Sequence, residues 1–538
     1  MAVSLGTMQN ISQLPESSSL LQLSSLSVWV LLSLGAGAAT AGPGLVFTDV
    51  TATAGIGLPG TLNESLAWGD FDGDGDQDLY LTNDGPNKLF RNDGGDLFTE
   101  VAAAAGVDHG GFSVGAAFGD LDNDGDLDLY VVSFGTGPDV LYRNDGPIGA
   151  GGQQVFTDRT ALAGTTEESS SRGVALLDYD HDGWLDIYVN AIGPDILYRN
   201  LGGFQFANVA ASLGVATVGQ GVGAVATDLD GNGWVDLFTG NRSGDLNRLY
   251  LNTQGSFTDV TVSAGIDDVG LGMGVLSFDY DNDLDFDLYW TVWPGDGEDP
   301  QPNAFYENLG AGTGFMEVAA VTGTTDPDGW GISCNAGDID NDGWEDFFIT
   351  NGFSADSSAN VLFVNNADGT FSDGTSVLGG ADFDGRGVAF ADYDEDGDLD
   401  LCVTGGPDAE TRLWRNDTVN DNHWITLDLQ GSASNRSALG ARIEVSTQLG
   451  TRVKEVSGGA GRGSQNSLPV EFGLGPATLV DTVRIQWPSG HVQVLTNLAV
   501  DQYLTVVEDL LFADGFESGD ISAWPLMFPS PLTAAPFP

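Results

Sequence analysis

A chain of 538 residues with 78 acidic side chains against 17 basic ones carries a formal net charge of −61. That field repels nucleic acid and anionic membrane surfaces, so neither is expected as a partner. Seventy-seven glycines with only 18% charged residues suit a turn-rich β architecture, and the length asks for two domains plus tails.

Residues 1–41 read as a signal peptide, with the apolar run Val28-Trp29-Val30-Leu31-Leu32-Ser33-Leu34 followed by small residues and a cleavage point after Ala41. No Lys or Arg precedes Lys88, which departs from the usual basic start of a leader. No other run approaches the roughly 18 apolar residues of a spanning helix, so no membrane span is predicted.

Seven nine-residue loops of the form Asp-x-Asp-x-Asp/Asn-x-x-x-Asp then begin at Asp70, Asp120, Asp178, Asp228, Asp279, Asp338 and Asp392. Their intervals of 50 to 59 residues signal a solenoid or a propeller. The candidate metal ligands are Asp70, Asp72, Asp74, Asp76 and Asp78 in the first loop and Asp120, Asp122, Asp124, Asp126 and Asp128 in the second. The third and fourth offer Asp178, Asp180, Asp182, Asp186 and Asp228, Asp230, Asn232, Asp236. The fifth and sixth offer Asp279, Asp281, Asp283, Asp287 and Asp338, Asp340, Asp342, Asp346, and the seventh Asp392, Asp394, Asp396, Asp398 and Asp400.

Oxygens at alternating positions around a sharp turn make a cage for a hard cation that takes six to eight of them, so up to seven Ca2+ ions are expected. The alternative, a row of solvated acidic turns, leaves crowded carboxylates repelling one another without a counter-ion. An EF-hand is excluded, because its position 12 needs Glu and here holds Leu81, Val131, Val189, Thr239, Trp290, Ile349 and Val403. Asn232 leaves the fourth loop one carboxylate short. In the fifth, Leu284 stands where the other loops have Gly, a poor residue for a left-handed turn, and that site is expected to be the weakest or empty.

Each loop lies between strands. Ser65-Leu66-Ala67-Trp68 enters the first and Leu79-Tyr80-Leu81 leaves it, with Phe347-Phe348-Ile349 the counterpart in the sixth. A third strand carries a Leu-aromatic-x-Asn signature ending at Asn92, Asn144, Asn200, Asn252, Asn308, Asn365 and Asn416. A fourth is marked by Phe-Thr-Asp-Val or a relative at Phe98, Phe156, Phe206, Phe257, Phe315 and Phe371. Seven units of four strands describe a β-propeller. The first Phe-Thr-Asp-Val, Phe47 to Val50, precedes the first loop and nothing equivalent follows Asn416, so the N-terminal strand is expected to complete the last blade. An open stack of units would leave that edge exposed.

These units resemble FG-GAP or VCBS repeats, the calcium-loop blades of the integrin α-subunit propeller and of many secreted bacterial proteins. The resemblance implies loops that are chiefly structural and share one face of the disc. Further on, Asn422-His423-Trp424, Gly431 to Ser434, Asn435-Arg436-Ser437-Ala438-Leu439-Gly440-Ala441-Arg442, Gly473-Leu474-Gly475 and Trp487-Pro488-Ser489-Gly490 resemble the ASPIC/UnbV domain, which follows such a propeller in the cartilage acidic protein family. The expected division is a leader over 1–41, an all-β seven-bladed propeller over 42–418, a small sandwich-like β domain over 419–508 and a tail over 509–538. In that tail, the stretch from Phe512 to Trp524 resembles a sorting signature of secreted bacterial proteins.

No catalytic set stands out. Four histidines, His109, His181, His423 and His491, lack metal-ligand spacing. His181 falls at loop position 4 and is expected to face solvent, while His423 is expected to pack beside Trp424. Gly111-Phe112-Ser113-Val114-Gly115 matches a nucleophile-elbow string, but that motif needs a strand-turn-helix setting and here falls on an entry strand. Cys334 and Cys402 read as two buried small residues rather than a disulfide. Weakly binding calcium modules fill only where calcium is millimolar, which points to export. The sequence therefore predicts a secreted or cell-surface calcium-binding module for an extracellular protein or glycan, with no enzyme activity. The competing class is a polysaccharide-acting enzyme, a calcium-assisted lyase or glycoside hydrolase, which needs paired carboxylates at a set separation.

Overall fold

The computed structural model describes residues 44–509 apart from 59–60, 136, 149–152, 168–169, 267–271, 296–298, 311–313 and 354–358. The leader and the stretch from Phe512 to Trp524 lie outside the described residues.

Seven four-stranded antiparallel units follow one another. In the first, Asn63–Gly69 is the inner strand, followed outward by Asp78–Asn83, Lys88–Asn92 and Phe98–Glu100. The corresponding inner strands are Ser113–Gly119, Ser170–Leu177, Val218–Thr227, Gly272–Phe278, Gly331–Gly337 and Gly385–Ala391. Each packs beside the next, and the last lies against the first, so the units close into a propeller ring. Closure is covalently staggered, because Phe47–Asp49 supplies the outer strand of the seventh blade and pairs Phe47 with Asn416. The third and fourth blades share one further ladder, Ile192 to Pro194 against Val218 to Gln220.

The outer strands are short, and each unit ends in a feature the strand pattern did not announce. A single α-helical turn, such as Ala102–Ala105 or Thr160–Ala163, stops at a glycine in left-handed conformation, Gly106 or Gly164, and in the sixth unit the 3-10 turn Thr375–Leu378 takes its place. Aliphatic and aromatic residues from adjacent blades fill the space between sheets, for example Tyr80, Phe118, Leu129 and Val131 between the first and second.

Beyond the ring, Val470–Gly475, His423–Gln430 and Gln502–Val507 form one sheet, the last two in parallel. Gly450–Glu455, Arg442–Thr447, Val480–Gln486 and Val492–Leu498 form a second, antiparallel sheet. Ile425, Leu427, Ile443, Phe472, Ile485 and Trp487 are buried in one apolar cluster with residues of the second and third blades.

One loop of this C-terminal part runs into the axis of the ring. Ser457 to Ser467 forms a hairpin in which Ala460 and Ser464 exchange backbone hydrogen bonds. Its backbone bonds Leu66 and Trp68 of the first blade, Ala116 of the second, Leu176 of the third, Val275 of the fifth and Phe390 of the seventh. The Arg462 N–H donates to Ser333 Oγ of the sixth at 3.1 Å. In the fourth blade, a Cβ at Gly223 would fall 2.4 Å from the Gly461 carbonyl, so only glycine admits the hairpin there. An innermost strand has one edge without a neighbour, and the hairpin satisfies those edge groups inside the channel.

Candidate metal centres

All seven acidic loops connect an inner strand to the next strand and therefore share one face of the ring. The same net of hydrogen bonds shapes them. In the first, the N–H groups of Gly73 and Asp74 donate to Asp70 Oδ1 and that of Gly75 to Asp70 Oδ2, at 2.8 to 3.1 Å. Asp78 accepts the Phe71 N–H at 3.1 Å on Oδ2 and the Asn92 N–H at 2.8 Å on Oδ1. Carboxylates at positions 1 and 9 thus hold the turn, while position 5 folds back to accept its own neighbour, as Asp74 does from Asp76.

Positions 4 and 6 both take left-handed backbone. Position 6 is glycine except at Leu284, whose φ is 77°, and position 4 is Gly73, Asn123, His181, Gly231, Asn282, Asn341 or Glu395. Leu284 nonetheless donates its N–H to Asp279 Oδ2 at 3.1 Å, as the glycines do. The fifth loop is therefore built like the rest and carries the strain of a branched side chain in that conformation, about 1–2 kcal/mol.

The carboxylates at positions 1, 3 and 9 converge, each offering an oxygen within 4.8 Å of the others, in Asp70/Asp72/Asp78, Asp120/Asp122/Asp128, Asp178/Asp180/Asp186, Asp228/Asp230/Asp236 and Asp279/Asp281/Asp287. The sixth and seventh loops repeat the position 1 bonds through Asp338 and Asp392, and Asp346 and Asp400 accept as Asp78 does. Asp74, Asp124, Asp182, Asn232, Asp283, Asp342 and Asp396 lie beside these clusters at position 5. Asp76 and Asp126 are half-buried at position 7, and Asp398 accepts from Asn341 of the sixth loop at 2.8 Å.

An independent feature marks the cage interior. Oδ1 of Asp72, Asp122, Asp180 and Asp394, all at position 3, is buried without a hydrogen-bond partner. In three of these loops an arginine of the third strand takes the other oxygen: Arg199 to Asp180 at 2.7 Å, Arg143 to Asp122 at 3.9 Å and Arg415 to Asp394 at 4.0 Å. The arginine turns one oxygen outward and leaves its twin facing the cage. Burial, and then the neighbouring carboxylates, pushes Asp72 up to about 6 and Asp120 up to about 6. Asp78, more deeply buried, rises to about 9. A ring of orphaned carboxylate oxygens with no nitrogen or sulfur donor fits a hard, oxygen-seeking cation.

The asparagine of the third-strand signature has a role invisible in one repeat. Asn200 Nδ2 donates to the Leu185 carbonyl of its own loop at 3.0 Å and to the Leu121 carbonyl of the preceding blade's loop at 2.8 Å. The same clasp recurs from Asn144 to Phe71, Asn252 to Tyr179, Asn308 to Leu229, Asn365 to Tyr280 and Asn416 to Ile339. Asn92 closes the circle on the Tyr393 carbonyl at 2.8 Å.

The C-terminal sheets sit on this acidic face. Asp120 N–H donates to Ser437 Oγ, and Arg436 N–H to Asn123 Oδ1, both at 2.9 Å. Arg442 bonds the Leu284 carbonyl and Arg452 the Gly343 carbonyl. One histidine departs from expectation. His181 is half-buried and stacked on Trp234 with ring centroids 3.7 Å apart, so it does not face solvent, and burial pulls its proton affinity down to about 4. His423 pairs through Nδ1 with Asp501 at 2.8 Å. Ser113 begins an inner strand and its Oγ accepts from Asn87, away from any elbow. Cys334 and Cys402 are buried free thiols.

A model of the FG-GAP-like repeat matches residues 70–131, 228–290 and 350–403, and a model described as ASPIC and UnbV matches 431–510. Cartilage acidic protein 1 of Mus musculus is 26% identical over 392 residues, covering 66% of this chain and 58% of the mouse protein. Its Xenopus tropicalis counterpart is 27% identical over 365 residues, covering 63% and 55%. The chain thus spans little more than half the length of the curated relatives it matches. Among solved structures, an Agrocybe aegerita lectin described as recognising non-reducing terminal N-acetylglucosamine aligns at TM-score 0.40 and 17% identity, over 66% of this chain and 86% of the lectin. An exotype rhamnogalacturonan lyase aligns at 0.38 and 13%, over 66% and 72%. The ring is a β-propeller of FG-GAP-like repeats, and the sheets on its acidic face are an ASPIC and UnbV domain.

Proposed function

We propose that the chain is a secreted calcium-binding propeller that acts as an extracellular binding or adhesion module for a protein or glycan, without catalysis of its own. The observation that carries this reading is the repeated convergence of position 1, 3 and 9 carboxylates, with position 3 oxygens buried and unpartnered. Ca2+ bound there neutralises each turn. The asparagine clasp passes through the carbonyl of loop position 2, so fixing a loop also fixes the angle between blades. A rigid disc then presents its loops as a recognition surface.

The test is thermal melting of the full chain across a calcium titration, followed by glycan and matrix-protein binding with and without chelator. Calcium should raise the melting temperature, and Asp74→Ala should lower it mainly through one blade. Identical melting in calcium and chelator would remove the structural role of the loops. New reducing ends or unsaturated sugars released from a glycan panel would replace the binding reading with an enzyme.

A further inference from the structure

At the end of the channel away from the acidic loops, the hairpin tip delivers Arg462 among residues that open the inner strands. Arg172 and Arg386 come from the third and seventh blades, and Glu64 from the first. Arg172 is 5% exposed and Arg386 and Arg462 are each 4% exposed. Their guanidinium groups stack on half-buried rings: Arg172 lies 4.6 Å from the centre of Phe134, and Arg386 and Arg462 lie 3.5 and 5.1 Å from that of Phe353. Arg242 adds a fourth guanidinium over Trp293 at 5.6 Å.

Among the described residues, two carboxylates form ion pairs with these arginines. Glu64 pairs with Arg462, and Asp384 pairs with Arg386 at 2.7 Å. Arg172 has no ion-pair partner among the described residues, and Nε of Arg172, Arg386 and Arg462 and Nη1 of Arg386 are buried without hydrogen-bond partners. Burial, and then the nearby Arg462 and Arg242, draws Arg172 below the ordinary guanidinium range. Glu64, the carboxylate that acts on Arg172, is already paired with Arg462, so the guanidinium groups are under-compensated; burying such charge is costly, and an arriving anion relieves that cost.

We propose that this mouth binds a single carboxylate carried by a small organic ligand. The planar guanidinium fork matches a carboxylate edge to edge. Phe134, Phe353 and Trp293 wall the mouth with apolar surface. The acidic exterior repels polyanions at longer range, which favours a ligand of one charge. The assignment rests on the reading of the chain as a binding module but uses none of the calcium loops.

The experiment is calorimetric titration and thermal melting of the full chain, calcium-loaded and at fixed ionic strength, with sodium glucuronate, sodium acetate, sodium sulfate and glucose. Glucuronate or acetate should bind saturably and raise the melting temperature, and glucose should not. Arg172→Met should weaken that binding about tenfold to a hundredfold, the loss of one charge-assisted hydrogen bond, while raising the ligand-free melting temperature by removing an unpaired buried charge. Arg386→Lys, which keeps the charge and loses the fork, should weaken binding as well. Absence of a response to both carboxylates, full binding by either variant, or tighter binding of sulfate would overturn the assignment. Calcium-dependent melting in the same series separates this outcome from failure of the calcium reading.

Discussion

Gln465 closes both ends of its amide on Phe118: the Phe118 N–H donates to Oε1 at 2.7 Å, and Nε2 donates to the Phe118 carbonyl at 2.9 Å. The Gln465 backbone meanwhile bonds Leu66 and Trp68 of the first blade, so one residue of the C-terminal part joins two inner strands. Gln465→Ala leaves a buried N–H and a buried carbonyl unpaired, each costing about 1–3 kcal/mol. Urea melts should show a loss of about 3 kcal/mol. A loss below about 0.5 kcal/mol would mean that the hairpin rests in the channel without bracing it.

The interblade clasp makes a sharper prediction, because its geometry repeats. Asn200 is fully buried and binds carbonyls of two blades. Asn200→Ala should cost about 3 kcal/mol, close to Asn144→Ala in the next clasp, since both leave two carbonyls without a donor. Marked inequality between the two, measured by the same urea melts, would show that packing rather than the clasp sets blade angles.

Much of this was legible in the sequence because each repeat states its own strands: alternation at Leu79-Tyr80-Leu81, the acidic turn and the unmatched Phe47 strand fix a closed ring of blades. Asn200 was visible as a signature without a partner, since the carbonyl it binds belongs to Leu121, 79 residues earlier. The left-handed residue at position 4 was hidden because Gly, Asn, His and Glu all fill it. Nothing in Gly458-Gly459-Ala460-Gly461 announces a channel, although small residues are what a narrow axis admits. The stacking of His181 was hidden because its partner, Trp234, comes from the next loop.

Acid should stabilise part of the ring. Asp139 and Asp195 accept N–H bonds from Ser133 and Ala191, and burial lifts each carboxyl to about 7. The unfolded chain releases these protons near the ordinary carboxyl value of 3.8. Native protein therefore holds more protons between about pH 4 and 7, and stability falls as pH rises through that window, by at most about 1.4 kcal/mol per unit for each group. Asn87, Asn247, Asn303 and Asn360 make the same backbone contact in other blades, so Asp139→Asn and Asp195→Asn preserve the structure. The calcium-loaded double variant should gain on the natural protein as pH rises from 5 to 8. A constant difference across that range would refute the lifted carboxyls.

Loop strain can be tested from both directions. Gly125 has a φ of 101°, and a Cβ there would meet nothing within 4 Å. Gly125→Ala therefore changes backbone energy with no clash, and should cost about 1–2 kcal/mol. Leu284 occupies the same position in the fifth loop with a φ of 77°. Leu284→Gly should recover about 1 kcal/mol of that strain, offset in part by lost contact with the apolar cluster around Phe286 and Val453. It should also tighten the weakest calcium step in a calorimetric titration, because the turn no longer strains against the geometry the cation needs. If Gly125→Ala is silent in urea melts, left-handed backbone at position 6 is not what the glycines supply, and the fifth loop has no reason to bind more weakly than the others.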